Sequence, residues 1–480
     1  MAEGKEYDIA IIGGGPGGYV AAIRAAQLGA RVALIEKERI GGMCLNWGCI
    51  PTKALVHQSD LYAEMRRAGE YGIDVGGPVS VNFPRMMARK DEVVETLVSG
   101  VEALVRGHRI DHYAGVGTIL RPGLVRVSPS VYHPDTAPVE VQARNLIVAT
   151  GSMPMAVPIP GHDLPGVVNA RGLLDIKEQP RSLVVIGASV VGVEFASIFA
   201  ALGSKVTLLG RRTFLKDADE QLAKRYRAML SRQGVKIDIG IEFKQIVQTA
   251  EGRLRVEYER GGQAQAAECD LVLSSTGHAP FTADLGLENV GLASERGRIL
   301  VNEYMETSVP GIYAIGDVTG IYMLAHVASH QGIAAVHNAL GRREAMDYRA
   351  VPNCIYTMPE IAGVGMTERQ AKEAGIDYVV SRFPFNVNGR ALGMGATEGQ
   401  VRMLAVREGE KGGRVLGVQI MGPRASDLIA EAGLAIQMGA TAEDIAHTIH
   451  AHPTLPETLM EAAMGLGEGS IHYQKLGREV

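Results

Sequence analysis

The chain has 480 residues, a formal net charge of -5, and 21% charged against 46% hydrophobic residues. That length holds two to four domains with a sizeable core. The mildly acidic balance leaves no basic field for nucleic acid or an anionic membrane surface, and no apolar run is long enough to span a bilayer.

The first strand is expected at residues 7–12, Tyr-Asp-Ile-Ala-Ile-Ile, a continuous apolar run of the kind buried in parallel sheets. So little chain precedes it that no secretory or mitochondrial presequence is expected, which points to a cytoplasmic protein or a mature form. Gly13-Gly14-Gly15-Pro16-Gly17-Gly18 follows, then an alanine-rich helix to about Leu28 and a second strand, Arg31 to Ile35, ending on Glu36. This is the dinucleotide fingerprint: Gly13 for the tight turn, Gly15 for approach of a pyrophosphate, Gly18 for helix–strand packing. The helix N-terminus offers free N–H groups to the phosphates, and Glu36 is positioned to accept hydrogen bonds from a ribose.

Next comes Gly41-Gly42-Met43-Cys44-Leu45-Asn46-Trp47-Gly48-Cys49-Ile50-Pro51-Thr52-Lys53. In a regular helix, alpha carbons five positions apart lie about 8–9 Å from one another, whereas a disulfide wants about 4.4–6.8 Å. Bridging Cys44 to Cys49 therefore requires a tightened turn, which Gly48 permits. So short and strained a bridge adds little stability and is easily reduced. Redox exchange and two buried free thiols both remain open on spacing alone. Metal binding is set aside, because structural zinc needs four ligands. Cys269 and Cys354 have no neighbouring cysteine and read as ordinary thiols.

A helix is expected to run on to about Arg67, and a long amphipathic helix over 84–106. A strand-rich stretch spans His112 to Val141, a further strand 145–152, and the Pro-rich segment Pro154 to Pro165 reads as a linker between domains. Residues 182–194 then repeat the strand–glycine–helix unit with Gly187, Ser189 and Gly192, and a strand follows from Lys205 to Leu209. Where an acid would end that strand stands Gly210, followed by Arg211 and Arg212. Loss of the acid removes the usual partner of a ribose 2′-hydroxyl, and arginine accommodates a 2′-phosphate. A solvated turn is the competing reading. Strands over 235–276 close this second unit. A strand over 307–317 delivers Asp317 at its carboxyl end, where it can cap the helix expected from Ala325 to Leu340 and also bind a ligand. Past Pro352 a separate domain begins, without a nucleotide fingerprint. Near its end, His450-Ala451-His452-Pro453-Thr454-Leu455-Pro456-Glu457 sets two histidines just ahead of two prolines that stiffen the segment, with Glu457 suited to orient an imidazole; taken alone, a histidine here reads as a surface-loop residue.

Two dinucleotide units, a dithiol beside the first and a terminal His/Glu element resemble the flavoprotein pyridine nucleotide-disulfide oxidoreductases along the whole chain. The likeness is strongest to their lipoamide branch. It is carried by Gly41 to Lys53, Gly316-Asp317, Met323-Leu324-Ala325-His326 and residues 450–457. The resemblance implies an α/β fold of two doubly wound Rossmann-like domains plus a C-terminal α+β dimerisation domain. The divisions are 1–152 for the first part of the FAD domain, 153–276 for the NAD(P) domain, 277–350 for a central domain completing the FAD site, and 351–480 for the interface. It assigns Gly13, Gly15, Gly18 and Glu36 to FAD, with Asp317 near its ribityl chain. Gly42, Gly151, Leu324, Ala325 and His326 fall in segments it gives to the same cofactor, and Gly187, Ser189, Gly192, Arg211 and Arg212 in the NAD(P) site.

By the same resemblance Cys49 is the thiol nearest the flavin and Cys44 the outer interchange thiol. Lys53 lies at the flavin and pairs with Glu194, and His452 is the general base, oriented by Glu457 and supplied across a homodimer. The implied activity is oxidation of protein-bound dihydrolipoamide with hydride transfer to NAD(P). The partner is a lipoyl-bearing protein, with no nucleic acid, membrane or metal. An NADPH-dependent reductase of another small disulfide is the alternative, favoured by Gly210-Arg211-Arg212. A subunit with an idle redox site is disfavoured by the intact chemistry from Cys44 to Glu457.

Overall fold

The computed structural model of the chain describes residues 5–155, 158–408 and 411–474. In the first nucleotide-binding domain the strands Asp111–Ala114, Val32–Glu36, Glu6–Ile12, Val139–Val148 and Ile312–Ala314 lie side by side in that order, all parallel. Ile9, Ile11 and Leu34 are completely buried between the helical layers, as a doubly covered parallel sheet requires. The hairpin Val116–Arg121 and Leu124–Ser128 joins the same sheet antiparallel.

The tail of the strand-rich stretch ending at Val141 and the strand expected over 145–152 belong to one ten-residue strand, Val139–Val148, and Ser152 opens a separate short strand, Ser152–Pro154. The first residues of Val139–Val148 pair antiparallel with Leu124–Ser128, and from Gln142 onward it pairs parallel with Glu6–Ile12. Partners on both sides keep it extended across the polar residues that suggested a break.

The second domain repeats the plan. Lys236–Ile239, Lys205–Gly210, Ser182–Ile186, Leu271–Ser274 and Val167–Val168 form the parallel sheet. Ile241–Gln248, Leu254–Arg260 and Gln263–Cys269 form an antiparallel meander. The chain enters and leaves through Ser152–Pro154 and His278–Pro280, which pair as a two-stranded ribbon. Of the linker expected from Pro154 to Pro165, Ala156 and Val157 lie outside the described residues. The rest is docked: Ile159 is buried and the Pro160 carbonyl accepts the Ile246 N–H at 2.8 Å.

The helix Phe83–Gly107 starts with Asn82 capping the Arg85 N–H and buries Met87, Val94, Val98, Val101 and Val105 along one face, the spacing of an amphipathic helix. Its buried Lys90 donates to the Leu174 carbonyl of the second domain at 2.6 Å.

The C-terminal domain is a five-stranded antiparallel sheet in the order Asn353–Ile355, Glu360–Gly365, Lys411–Gly422, Gln400–Glu408, Tyr378–Pro384. The helix Ala425–Met438 packs against it with Leu428, Ile429, Ala432 and Ile436 buried. This domain is locked to the second by Arg402, whose side chain is 2% exposed. It meets Asp219 at 3.5 Å, Glu368 at 2.5 Å and the amide oxygen of Gln221. Asp219 is itself buried and caps the helix Glu220–Arg232. Removing one member of such a cluster strands the other charge. Arg402→Ala should therefore cost about 3–5 kcal/mol, read as a lowered thermal unfolding midpoint. A loss within the range of an ordinary surface substitution would count against the lock.

Candidate active site at the dithiol

Cys44 and Cys49 stand on either side of a helix break. Cys44 lies inside the helix Gly42–Trp47, and Cys49 is the first residue of the helix Cys49–Arg66. Between them Gly48 takes φ -137 and ψ -109. A Cβ there would lie 2.8 Å from the Met43 carbonyl oxygen and 3.3 Å from the Cys44 Cα. The absent side chain lets the second helix begin against the first, which is the tightening that the spacing demanded. All four cysteines carry free thiols.

The two active thiols are electrostatically unequal. The Cys44 thiol donates a hydrogen bond to the Cys49 sulfur, which together with burial drives Cys44 far above the ordinary thiol range. That same bond, then the nearby Lys53 ammonium, holds Cys49 below it despite burial. The bond and the nearby ammonium both favour the charged form of Cys49, the thiolate that reacts. Cys354 and Cys269 are different: burial pushes them up to about 11 and about 12, the values of inert core thiols.

Lys53 is fixed by the second domain. Its Nζ lies 3.0 and 3.1 Å from the two carboxylate oxygens of Glu194, which is 2% exposed. The Tyr356 N–H donates to Glu194 at 2.9 Å, and the Lys53 ammonium stands over the Tyr356 ring at 4.7 Å. The Lys53–Glu194 pair named from the sequence is thus brought together, while Tyr356 gave no sequence signal because its part is played by backbone.

The residues around the first nucleotide loop fit a flavin dinucleotide. Gly13 has φ +110, and a Cβ at Gly18 would stand 1.8 Å from the Gly13 carbonyl oxygen. At Gly15, in contrast, the nearest protein atom to a Cβ is the Gly42 Cα at 4.0 Å. Space is kept there at the N-terminus of Pro16–Gln27, where a pyrophosphate belongs. Glu36 accepts the Gly14 N–H at 2.6 Å and the Glu38 N–H at 2.8 Å. Two bonds leave lone pairs on a carboxylate free for a ribose. Burial pushes Glu36 up against those N–H bonds.

Asp317 receives the Ser152 hydroxyl at 2.6 Å, and burial pushes its carboxyl up as well. It sits in the single turn Gly316–Thr319 and does not cap the later helix, whose N-cap is Leu324 with no side-chain bond. The cap role is corrected, because Gly320 to Leu324 intervene. Gly151 at φ +70 has open space around it, Ala325 opens the helix Ala325–Ala339, and His326 bonds the Pro352 carbonyl at 2.9 Å. Asn46 is a residue that sequence reasoning passed over. Its Nδ2 donates to Ile40 and Gly42 carbonyls, while its buried Oδ1 has no partner. An orphan acceptor beside the dithiol suits a ligand carrying an N–H.

In the second loop Gly187 has φ +118, and a Cβ at Gly192 would lie 2.1 Å from the Gly187 carbonyl oxygen. Ser189 occupies the N-cap of Val190–Ala201 in extended backbone, its hydroxyl turned onto the Ser275 carbonyl at 3.4 Å. The tight glycine turn of the first loop is repeated there, with the serine hydroxyl directed to backbone. Arg211 and Arg212 are exposed just past the strand end.

The His/Glu element is formed within one chain. The His452 Nδ1 lies 2.8 Å from Glu457, whose other oxygen accepts the Thr454 N–H at 2.7 Å. Against partial burial, that N–H and the imidazole hold the Glu457 carboxyl low. The His452 side chain is 80% exposed, and it bonds to no residue of the Gly41–Lys53 stretch. His450, read from the sequence as an exposed loop residue, is buried and pairs with Glu431 at 2.9 Å.

Comparison with known proteins agrees with this architecture. The family profile described as "Pyridine nucleotide-disulphide oxidoreductase" matches residues 7–332, and that of its dimerisation domain matches residues 351–463. The chain is 43% identical over 472 residues to dihydrolipoyl dehydrogenase 2, mitochondrial, of Arabidopsis thaliana, covering 97% of this chain and 92% of that one. It is 41% identical over 461 residues to dihydrolipoyl dehydrogenase of Geobacillus stearothermophilus, covering 95% and 96%. The solved structure of LpdA from Mycobacterium tuberculosis superposes with a TM-score of 0.87 at 29% identity, over 95% of this chain and 99% of that one.

If Lys53 supports the Cys49 thiolate, Lys53→Met should move the thiolate midpoint of the reduced protein about 1 pH unit higher. The pH profile of Cys49 alkylation by iodoacetamide, followed by peptide mass mapping, measures this. An unmoved profile would mean that the bond from Cys44 alone sets the thiolate.

Proposed function

The chain belongs to the pyridine nucleotide-disulphide oxidoreductase family, and from that premise we propose that it is a dihydrolipoyl dehydrogenase, oxidising protein-bound dihydrolipoamide through Cys44 and Cys49. The single observation that carries the reading is the cysteine pair set across the Gly48 helix break beside Lys53–Glu194, in a chain 41–43% identical to dihydrolipoyl dehydrogenases over nearly its full length. FAD and NAD(P) are its cofactors, and bound FAD supplies the two-electron path between the dithiol and the nicotinamide.

In the oxidised enzyme the Cys44–Cys49 bond is the acceptor. The His452 Nε2 takes a proton from one substrate thiol, and the thiolate attacks the Cys44 sulfur. The Cys44–Cys49 bond breaks, and Cys49 leaves as the thiolate that Lys53 stabilises. The second substrate sulfur then attacks the mixed disulfide, which frees the Cys44 thiol and closes the lipoamide ring. Glu457 holds the Nδ1 proton of His452 and so leaves Nε2 as the basic atom.

We assign this general base to the partner subunit of a homodimer. Two observations support it: the match to the family's dimerisation domain, and bare apolar side chains on the C-terminal domain, one of them three residues before His452. Ile449 is 97% exposed, Met438 76% and Leu434 65%, a density of bare apolar side chains typical of a covered interface.

Cys44→Ser should lower dihydrolipoamide-dependent nucleotide reduction by more than about 10³-fold, and His452→Gln by about 10²–10⁴-fold. Retention of activity in Cys44→Ser defeats the exchange scheme. Co-expressing the two inactive variants should restore activity in hybrid dimers, since one site then receives an intact Cys44 and an intact His452. Hybrids that stay inactive place the base and the dithiol in the same subunit.

A further inference from the structure

The two nucleotide-binding units of this chain can be compared position by position. Each has a parallel strand, a glycine turn, a helix and a second strand. In the first unit the turn residue Gly14 faces the last residue of the second strand, Glu36. A Cβ on Gly14 would stand 3.2 Å from the Glu36 Cβ and 3.1 Å from its carboxylate oxygen. The bare turn is what admits the acid. In the second unit the pair is exchanged: the turn residue is Ala188 and the strand ends on Gly210. A Cβ on Gly210 would meet the Ala188 Cβ at 2.9 Å and the Ile239 Cδ1 at 2.8 Å. Any side chain at 210, an acid above all, is excluded by Ala188, a methyl group that cannot swing aside.

The strand end is therefore closed to the carboxylate that would bind a ribose 2′-hydroxyl, and cations follow it. Arg211, Arg212 and Lys216 are all exposed, and among the described residues none of them forms a hydrogen bond or ion pair. Glu242 is close enough to influence Arg211 and is itself bonded to Lys244 at 2.8 Å. Asp217 and Asp238 also belong to this end of the sheet. Asp217 is exposed with no bonded cation, and Asp238 is buried against Arg260, Lys236 and Tyr258. Elsewhere on the surface, most arginines are paired with acids of their own, as Arg39 is with Glu95 and Arg349 with Asp347. Cations left unpaired at the carboxyl edge of a doubly wound sheet, beside a phosphate-binding turn, stand where a nucleotide's ribose lies.

We propose that the second nucleotide unit is built for a 2′-phosphorylated nicotinamide nucleotide, NADP(H), with Arg211 and Arg212 as the ligands of the 2′-phosphate and Lys216 adding to the field. The inference rests on the nucleotide half of the reading above and names its cosubstrate. Arginine presents a planar fork to phosphate oxygens, and the same fork offers nothing to a 2′-hydroxyl that would replace the missing acid.

The test separates binding from turnover. Calorimetry on the FAD-loaded protein should give adenosine 2′,5′-bisphosphate an affinity about 10–100-fold above that of adenosine 5′-monophosphate. In stopped flow, NADPH should bleach the flavin with a second-order rate constant at least about tenfold that of NADH. Arg211→Glu with Arg212→Glu should collapse both ratios. Ala188→Gly with Gly210→Glu, which rebuilds the Gly14–Glu36 arrangement, should shift the rate ratio toward NADH. FAD content and the unfolding midpoint verify that each variant is folded. Equal affinities for the two adenosine phosphates, or faster bleaching by NADH in the unaltered protein, overturn the proposal and leave the arginines as a solvated turn. Bleaching by dihydrolipoamide uses no nucleotide. Its absence together with an NADPH preference would sink the lipoamide reading and leave this one standing.

Discussion

Glu194 is a carboxylate with almost no access to water, and three parts of the chain converge on it. Lys53 reaches it from the dithiol helix, the Tyr356 N–H from the start of the C-terminal domain, and its own helix belongs to the second nucleotide unit. An ionised group so placed contributes little net stability, because desolvation offsets much of the attraction. What it does supply is position. A lysine on a flexible stem has many rotamers, and the two bonds from Nζ to Glu194 select one. The same charge that satisfies Glu194 is then held where Cys49 must carry a negative charge. Loss of either partner would leave a charge facing a partly dry site, so the pair constrains fold and redox chemistry together.

The glycine loops provide the second constraint, and they act by excluding side chains. Gly15 and Gly42 approach so closely that a Cβ on Gly42 would lie 2.8 Å from the Gly15 Cα. The turn expected to carry a pyrophosphate and the start of the dithiol helix are thus back to back. A cofactor lying along that turn is brought to the dithiol by construction. The second unit keeps the turn but exchanges the residues at its strand end. Duplicated architecture with an altered contact shows how one fold takes two different dinucleotides without a change of topology.

Much of this was legible in the sequence because it is local. The fingerprint at Gly13 to Glu36, the tight dithiol turn at Gly48 and the His452–Glu457 pair all lie within a few turns of chain, where spacing translates directly into geometry. The failures are long-range or carried by backbone. Val139–Val148 looked like two strands because its polar middle hides pairing on both sides. Asp317 was given a capping role because sequence distance to the next helix is a poor guide to a loop's path. His450 looked exposed because its partner Glu431 lies on a separate helix. Tyr356 was invisible, since it acts through its N–H. Lys53 and Glu194 lie 141 residues apart, and only the resemblance to a known family joined them.

Both ends of the relay use one device. At one end Glu194 orients the Lys53 ammonium, and at the other Glu457 orients the His452 imidazole through Nδ1. In each case backbone N–H groups hold the carboxylate as an acceptor: Tyr356 for Glu194, Thr454 for Glu457. The difference is exposure, and it follows from the task. Lys53 must exert its charge on a thiolate that never leaves the protein, so Glu194 is sealed. On the proposed scheme His452 takes its proton from a thiol of another molecule, and in the single chain its ring stands open while the carboxylate behind it is largely covered. A buried imidazole would be better oriented but out of reach of the proton it has to take. An exposed ammonium would be screened by water before it reached Cys49.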